Sequence, residues 1–216
     1  MPIDEKTRNS CFAWQPDDDP EFAPMIYGRG TIGGKGRSLL FALRRLRDSG
    51  DVHLARVCLP ESIYFSVEIF HRFVESVPSM DALISARDPD ALERVFLDTA
   101  LPNEAALAVR KFLSGINDPV VIRSSSKLED SVKYSFAGKY LSTFFGNNVG
   151  SVEERAVRVE NEIKKIYARI FFPQALSYKK RHGLGEDEMG IIIMRMTGRW
   201  RGSCYYPTLG GVRYSE

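Results

Sequence analysis

Between residues 153 and 172 the apolar side chains Ala156, Val159, Ile163, Ile166 and Ile170 recur at steps of three and four. That period places them on one face of an α-helix, so the pattern predicts a helix from Glu153 to Phe172 with a core-facing stripe. A second helical turn pattern follows over Ala175–His182, before Gly183-Leu184-Gly185. Leu39, Leu40, Leu43 and Leu46 face away from Arg44, Arg45 and Arg47, in a helix that opens at Gly33-Gly34-Lys35-Gly36 and stops at Gly50. Elsewhere the period vanishes. Val120-Val121-Ile122 and Gly190–Met196 are short continuous apolar runs, as expected of strands buried on both faces. Cys204–Tyr206 reads as a third buried strand, Leu54–Leu59 as another short strand, and Ser135–Phe145 as strand-like around Gly138. Between Glu61 and Ser114 the pattern predicts several helices, broken near Pro78, Pro89 and Pro102. Residues 1–30, with Asp17-Asp18-Asp19-Pro20, read as an arm or linker, and residues 31–216 as one domain. A helical first half and a second half with strands predict an α+β fold.

Composition narrows the classes. Of 216 residues, 44% are hydrophobic and 27% charged, which is enough for a packed core and argues against disorder. Thirty basic and 28 acidic residues nearly balance, so no general nucleic-acid binder is indicated. The run Lys179-Lys180-Arg181 reads as a solvated helix end. Cys11, Cys58 and Cys204 are odd in number, far apart and without a Cys-x-x-Cys pair, so neither a zinc site nor a disulfide framework is expected. Cys58, in an apolar stretch, reads as a small core residue. The N-terminus lacks the apolar segment of a signal peptide, and no stretch is long and apolar enough to span a membrane. A reducing cytoplasmic setting is the default. His53, His71 and His182 read as structural or surface residues.

Three short elements could carry chemistry. In Gly33-Gly34-Lys35-Gly36, glycines at a helix start allow a phosphate to approach main-chain N–H groups, with Lys35 adding charge. A flexible turn with a solvated lysine is the alternative, since the spacing is not that of a Walker A loop: Arg29 and Gly36 occupy the deciding positions. Val120-Val121-Ile122-Arg123-Ser124-Ser125-Ser126 sets an arginine at a strand end, where its fork can clamp phosphate or pair with Glu129 or Asp130. Ser135-Phe136-Ala137-Gly138-Lys139-Tyr140 is a small-residue turn that could fold over a ligand or form a hairpin bulge.

Taken together, the three resemble one family. Arg123-Ser124-Ser125, Glu129-Asp130 and Ser135-Phe136-Ala137-Gly138, in that order and spacing, are similar to the nucleotide-binding domain of phosphoenolpyruvate synthase and pyruvate phosphate dikinase. Gly33-Gly34-Lys35 resembles that family's glycine-lysine loop. Ser177-Tyr178 and Gly190–Met196 resemble later segments, so the likeness covers about residues 30–206.

The resemblance implies an incomplete ATP-grasp-like fold holding ATP and Mg. Lys35 and Arg123 would be its phosphate-binding, catalytic cations, with Gly33 and Gly34 around them. Gly138 would cover the phosphates, with Ser142 nearby, and Met194, Arg195 and Met196 would form the adenine hinge. The parent enzyme would pass phosphoryl from ATP to a histidine on a separate swivelling domain, then to pyruvate or a related acceptor. This chain would be a fragment lacking that domain and the pyruvate-binding domain, and inactive alone. There are two departures from the family pattern: Met194 stands where glutamine is usual, and no acidic metal-ligand pair is seen before Glu216. A non-catalytic nucleotide-binding regulatory module, a dikinase acting on another acceptor and a protein scaffold remain as alternatives.

Overall fold

A computed structural model describes residues 13–126, 142–185 and 187–211. The Gly138 turn and most of the Ser135–Phe145 segment lie outside the described residues. A five-stranded mixed sheet organises the chain: β1 (Ile26–Tyr27), β2 (Ser62–Phe65), β3 (Val120–Ser126), β4 (Ser142–Phe145) and β5 (Met189–Arg195). Their spatial order is β1-β2-β5-β3-β4. The β1–β2 pair is parallel and the other pairs are antiparallel.

The helices are α1 (Gly33–Arg47), α2 (Val67–Ser76), α3 (Met80–Ala86), α4 (Pro89–Asp98), α5 (Asn103–Ser114), α6 (Val152–Arg169) and α7 (Pro173–Arg181). Mixed α+β architecture is therefore what the chain adopts. The prolines act where expected. Pro89 begins α4 behind an Asp88 cap, whose carboxylate accepts from the Asp90 and Ala91 N–H groups, and α5 starts just after Pro102. The long stripe also holds: Ala156, Val159, Ile163, Ile166 and Ile170 are all buried. A reciprocal Ser151–Glu154 capping box opens α6. Its C-terminus comes at Arg169 rather than Phe172, because Pro173 starts α7 with Phe172 as the flanking residue.

Strand alternation builds two unlike layers. Ile63, Phe65, Ile191, Ile193, Val120 and Ile122 point into the larger core, filled by Phe70, Phe73, Phe96, Leu113, Ile163 and Tyr167 from α2, α4, α5 and α6. On the other face Tyr64 and Ile192 join Leu40 and Leu43 of α1, with Phe22 and Ile32, in a smaller cluster. Burying a large apolar side chain such as Phe73 contributes roughly 1.5–3 kcal/mol, so the first layer dominates stability.

Three expectations need correction. Leu54–Leu59 is not a strand: Leu54–Arg56 is a 3-10 turn, and Leu54 and Val57 are exposed. The strand comes later, as β2, inside the stretch read as helical. Its four residues are all buried, so no alternation marks them. Cys58 is exposed rather than core. Cys204–Tyr206 is a strand (β7), but it pairs only with β6 (Arg199–Arg201) in an exposed hairpin, where Trp200 packs edge-on against Tyr205.

Candidate functional site

The turn before α1 is shaped by its neighbours on the sheet. Gly33 has φ +75°, a left-handed conformation that glycine adopts freely, and a methyl group there would overlap the Ser125 carbonyl oxygen. Gly190, the other residue beneath the turn, is similarly required: a side chain would press within 2.5 Å of the Ile32 carbonyl oxygen. Two contacts fasten the turn to β3. The Gly36 N–H donates to Ser125 Oγ at 3.0 Å, and Lys35 Nζ donates to the Ser124 carbonyl oxygen at 3.1 Å. The Gly33 N–H is capped by Thr31 Oγ1 at 3.1 Å. Gly34 N–H, in the buried first turn, has no acceptor among the described residues.

Register fixes what lies beside this turn. Tyr64, Ile192, Arg123 and Ser142 form one cross-strand row on the α1 face, and Ser62, Met194, Val121 and Phe144 form the next. Ser125 and Gly190 lie in the row beneath the turn. Same-face rows are about 6.5–7 Å apart, so the three rows span roughly 13 Å. α1 lies over β3 and β5 and reaches Tyr64 of β2 through Leu40 and Leu43, while among the described residues β4 is left exposed, with Phe144 68% exposed and Ser142 also exposed. Lys35, Arg123, Ser142 and the Gly33–Gly34 turn thus converge on one face of the sheet. The Arg123 guanidinium, partly buried, makes no hydrogen bond or ion pair among the described residues.

Tyr64 and Ser62 also belong to this face, and the sequence reading passed over both. The Tyr64 hydroxyl is fully buried and has no hydrogen-bond partner among the described residues. Burial pushes its pKa up to about 12, although the Ser62 hydroxyl and the Arg123 charge both pull it down. Only recognition of β2 as a strand in register with Arg123 would have revealed it.

The expected hinge divides. Met194 packs against the smaller cluster on the site face. Arg195 instead reaches Asp118 at 3.5 Å and Glu61 at 3.8 Å. The Arg195 N–H donates to the Glu61 carbonyl oxygen and the Met196 N–H to that of Pro119, each at 2.8 Å. The Met196 carbonyl oxygen accepts from the Tyr205 hydroxyl at 2.9 Å. A base reading the N–H of Arg195 or Met196 has to displace one of these bonds.

Among the described residues no group of three His, Cys, Asp or Glu side chains could hold a metal ion. The buried Asp187 carboxylate accepts from Ser126 Oγ at 2.5 Å and tethers the end of β3. His71 lies 3.4 Å from Glu188, and the His182 ring packs against Tyr178. No helix among the described residues is long and apolar enough to cross a membrane.

The sequence profile of the pyruvate phosphate dikinase AMP/ATP-binding domain matches residues 29–216, most of the chain. The chain belongs to this family. Two curated relatives are distant. A probable phosphoenolpyruvate synthase of Archaeoglobus fulgidus is 24% identical over 201 residues, covering 84% of this chain and 24% of that protein. Prodigiosin synthesizing transferase PigC of Serratia marcescens is 24% identical over 168 residues, covering 76% of this chain and 17% of that protein. The chain therefore spans a quarter or less of the length of either relative. Within an AMP/ATP-binding domain, a glycine turn at a helix start beside an arginine with no acceptor among the described residues is an arrangement suited to a polyphosphate.

Proposed function

We propose that residues 31–216 form an ATP-grasp-like domain that binds ATP across the open half of the α1 face. The phosphates lie at the Gly33–Gly34 turn, Lys35 and Arg123, with Ser142 beside them, Gly138 over them and the base toward Met194–Met196. One observation carries this reading: Lys35 is bonded to the carbonyl of Ser124, the residue next to Arg123, whose own guanidinium has no acceptor among the described residues. Two cations near a helix N-terminus supply the charge that a triphosphate needs. In the parent protein, as in a phosphoenolpyruvate synthase, the domain would hold ATP while its phosphoryl group passes to a histidine on a swivelling domain and then to pyruvate. Positioned cations are the main protein contribution to such a transfer. A reducing cytoplasm suits the free Cys58 and Cys204.

A second reading keeps the nucleotide site and changes the acceptor. It is favoured by the likeness to prodigiosin synthesizing transferase PigC, whose name specifies neither pyruvate nor phosphoenolpyruvate. Both readings stand on nucleotide binding. Calorimetry of the 216-residue chain with ATP, with and without magnesium, tests it. Saturable one-site binding is expected; no heat of binding under either condition sinks both readings.

A further inference from the structure

Tyr64 stands out once the site face is laid out in rows. Its ring packs beneath the first turn of α1, where a side chain added at Gly36 would meet it at 3.4 Å. Its strand pairing puts it in the same row as Arg123, with Ile192 between them, on the same face. The side chain is 0% exposed, yet its hydroxyl has no acceptor and no donor among the described residues. A buried hydroxyl without a partner costs about 1–3 kcal/mol, and folded proteins rarely keep one without a reason. Arg123, the charged neighbour in that row, is also without an acceptor among the described residues. Two donors face one region, and neither has an acceptor among the described residues. An anion resolves both.

Resting on the nucleotide-binding reading above, we propose that Tyr64 is a ligand-binding residue whose hydroxyl donates to a phosphate oxygen of the polyphosphate held by Arg123 and Lys35. The hydroxyl has lost its water before the ligand arrives, so this bond exchanges no hydration on the protein side. A charged acceptor in such surroundings is worth more than in water. Burial also keeps the phenol neutral, and therefore a donor, throughout the neutral range. The Ser62 hydroxyl, which donates to the Pro60 carbonyl oxygen at 2.7 Å, lies near enough to lower the Tyr64 pKa but makes no hydrogen bond with its hydroxyl.

Tyr64→Phe removes the oxygen and keeps the ring, so the packing under Gly36 survives. The 216-residue chain and this variant are titrated calorimetrically with Mg·ATP and, separately, with inorganic tripolyphosphate, and their ligand-free melting temperatures are compared. A hydrogen bond to a charged group corresponds to roughly a 10- to 100-fold loss of affinity. The expected result is that loss for both probes, with a ligand-free melting temperature equal to or above that of the parent chain. Binding by Tyr64→Phe within twofold of the parent chain overturns the proposal and leaves the nucleotide site standing. Loss for ATP but not for tripolyphosphate also overturns it, because the contact is then to the nucleoside. A parent chain that binds neither probe overturns the nucleotide reading itself, and this proposal with it.

Discussion

The two faces of the sheet are made by the same strands and serve opposite ends. In β3, Val120 and Ile122 enter the larger core, while Val121, Arg123 and Ser125 face the α1 side. Toward the core the rows run from Ile63 and Phe65 through Ile191 and Ile193 to Ile122, apolar until Ser124. Toward α1, each row starts under the helix or its turn and ends in polar or exposed side chains at the β3–β4 edge. The core face has helices α2, α4, α5 and α6 to fill it; among the described residues the other has only α1, which leaves β4 exposed. On the proposed reading, stability and ligand binding are thereby separated within single strands, and a residue's parity along the strand decides which it serves.

Changes on the core face should cost stability first. Phe73 meets Phe96 edge-on at 5.4 Å and Tyr167 at 5.5 Å between ring centroids. Phe73→Ala should destabilise by about 3–5 kcal/mol in denaturant unfolding. A loss below 1 kcal/mol would show that this layer is not the main source of stability.

Alkaline pH should strain both faces together. Tyr64 and Tyr167 are buried and both titrate above the usual value for tyrosine, burial being the main cause. Their folded pKa values are raised, so the stabilisation is intact below about pH 10 and is lost as pH climbs toward 12. Each pKa unit corresponds to about 1.4 kcal/mol, so Tyr64 contributes up to roughly 2–3 kcal/mol to the decline. Unfolding curves from pH 9 upward, on the parent chain and on Tyr64→Phe, measure it; the variant should decline less steeply. Equal slopes would place the loss on the core face alone.

Arg123→Ala sharpens the contrast most, because its effect on folding should be the smallest. Stability should move by no more than about 0.5 kcal/mol, since the guanidinium has no partner among the described residues. Affinity for ATP should fall roughly 10- to 100-fold, and lysine should restore it only in part, having charge without the fork. A fallen melting temperature with unchanged affinity would move Arg123 from the site to the scaffold.

The sequence announces long periodic or strongly apolar elements well. The stripe of α6, the arginine face of α1 and the runs that became β3 and β5 could each be read from spacing or apolar content. So could the place of Gly33 and Lys35 at the start of α1, whereas Arg123, expected at a strand end, is the middle residue of β3. What escaped is short or depends on partners. β1 has two residues and β2 four, too few for a period, and β2 is buried on both sides. Tyr64 escaped with β2, since nothing local distinguishes it from a core tyrosine. Cys58 and the β7 residues look apolar in sequence, but no second layer covers them. The main-chain bonds of Arg195 and Met196 are purely tertiary, made to Glu61 and Pro119.

Gly36 is tied to Ser125, and Lys35 to Ser124, across 89 positions of chain in each case. The intervening helices can tolerate surface insertions, since their length does not set where β3 lands. Insertions touching β3 itself are different, because its side chains change face with every residue. One extra residue between Pro119 and Arg123 would shift the reading frame of the strand by one. The guanidinium would then turn into the oily layer, and Ile122 would take its place beside the glycine turn. The phase of seven residues thus holds both the core and the cleft, and no change of composition is needed to lose them together.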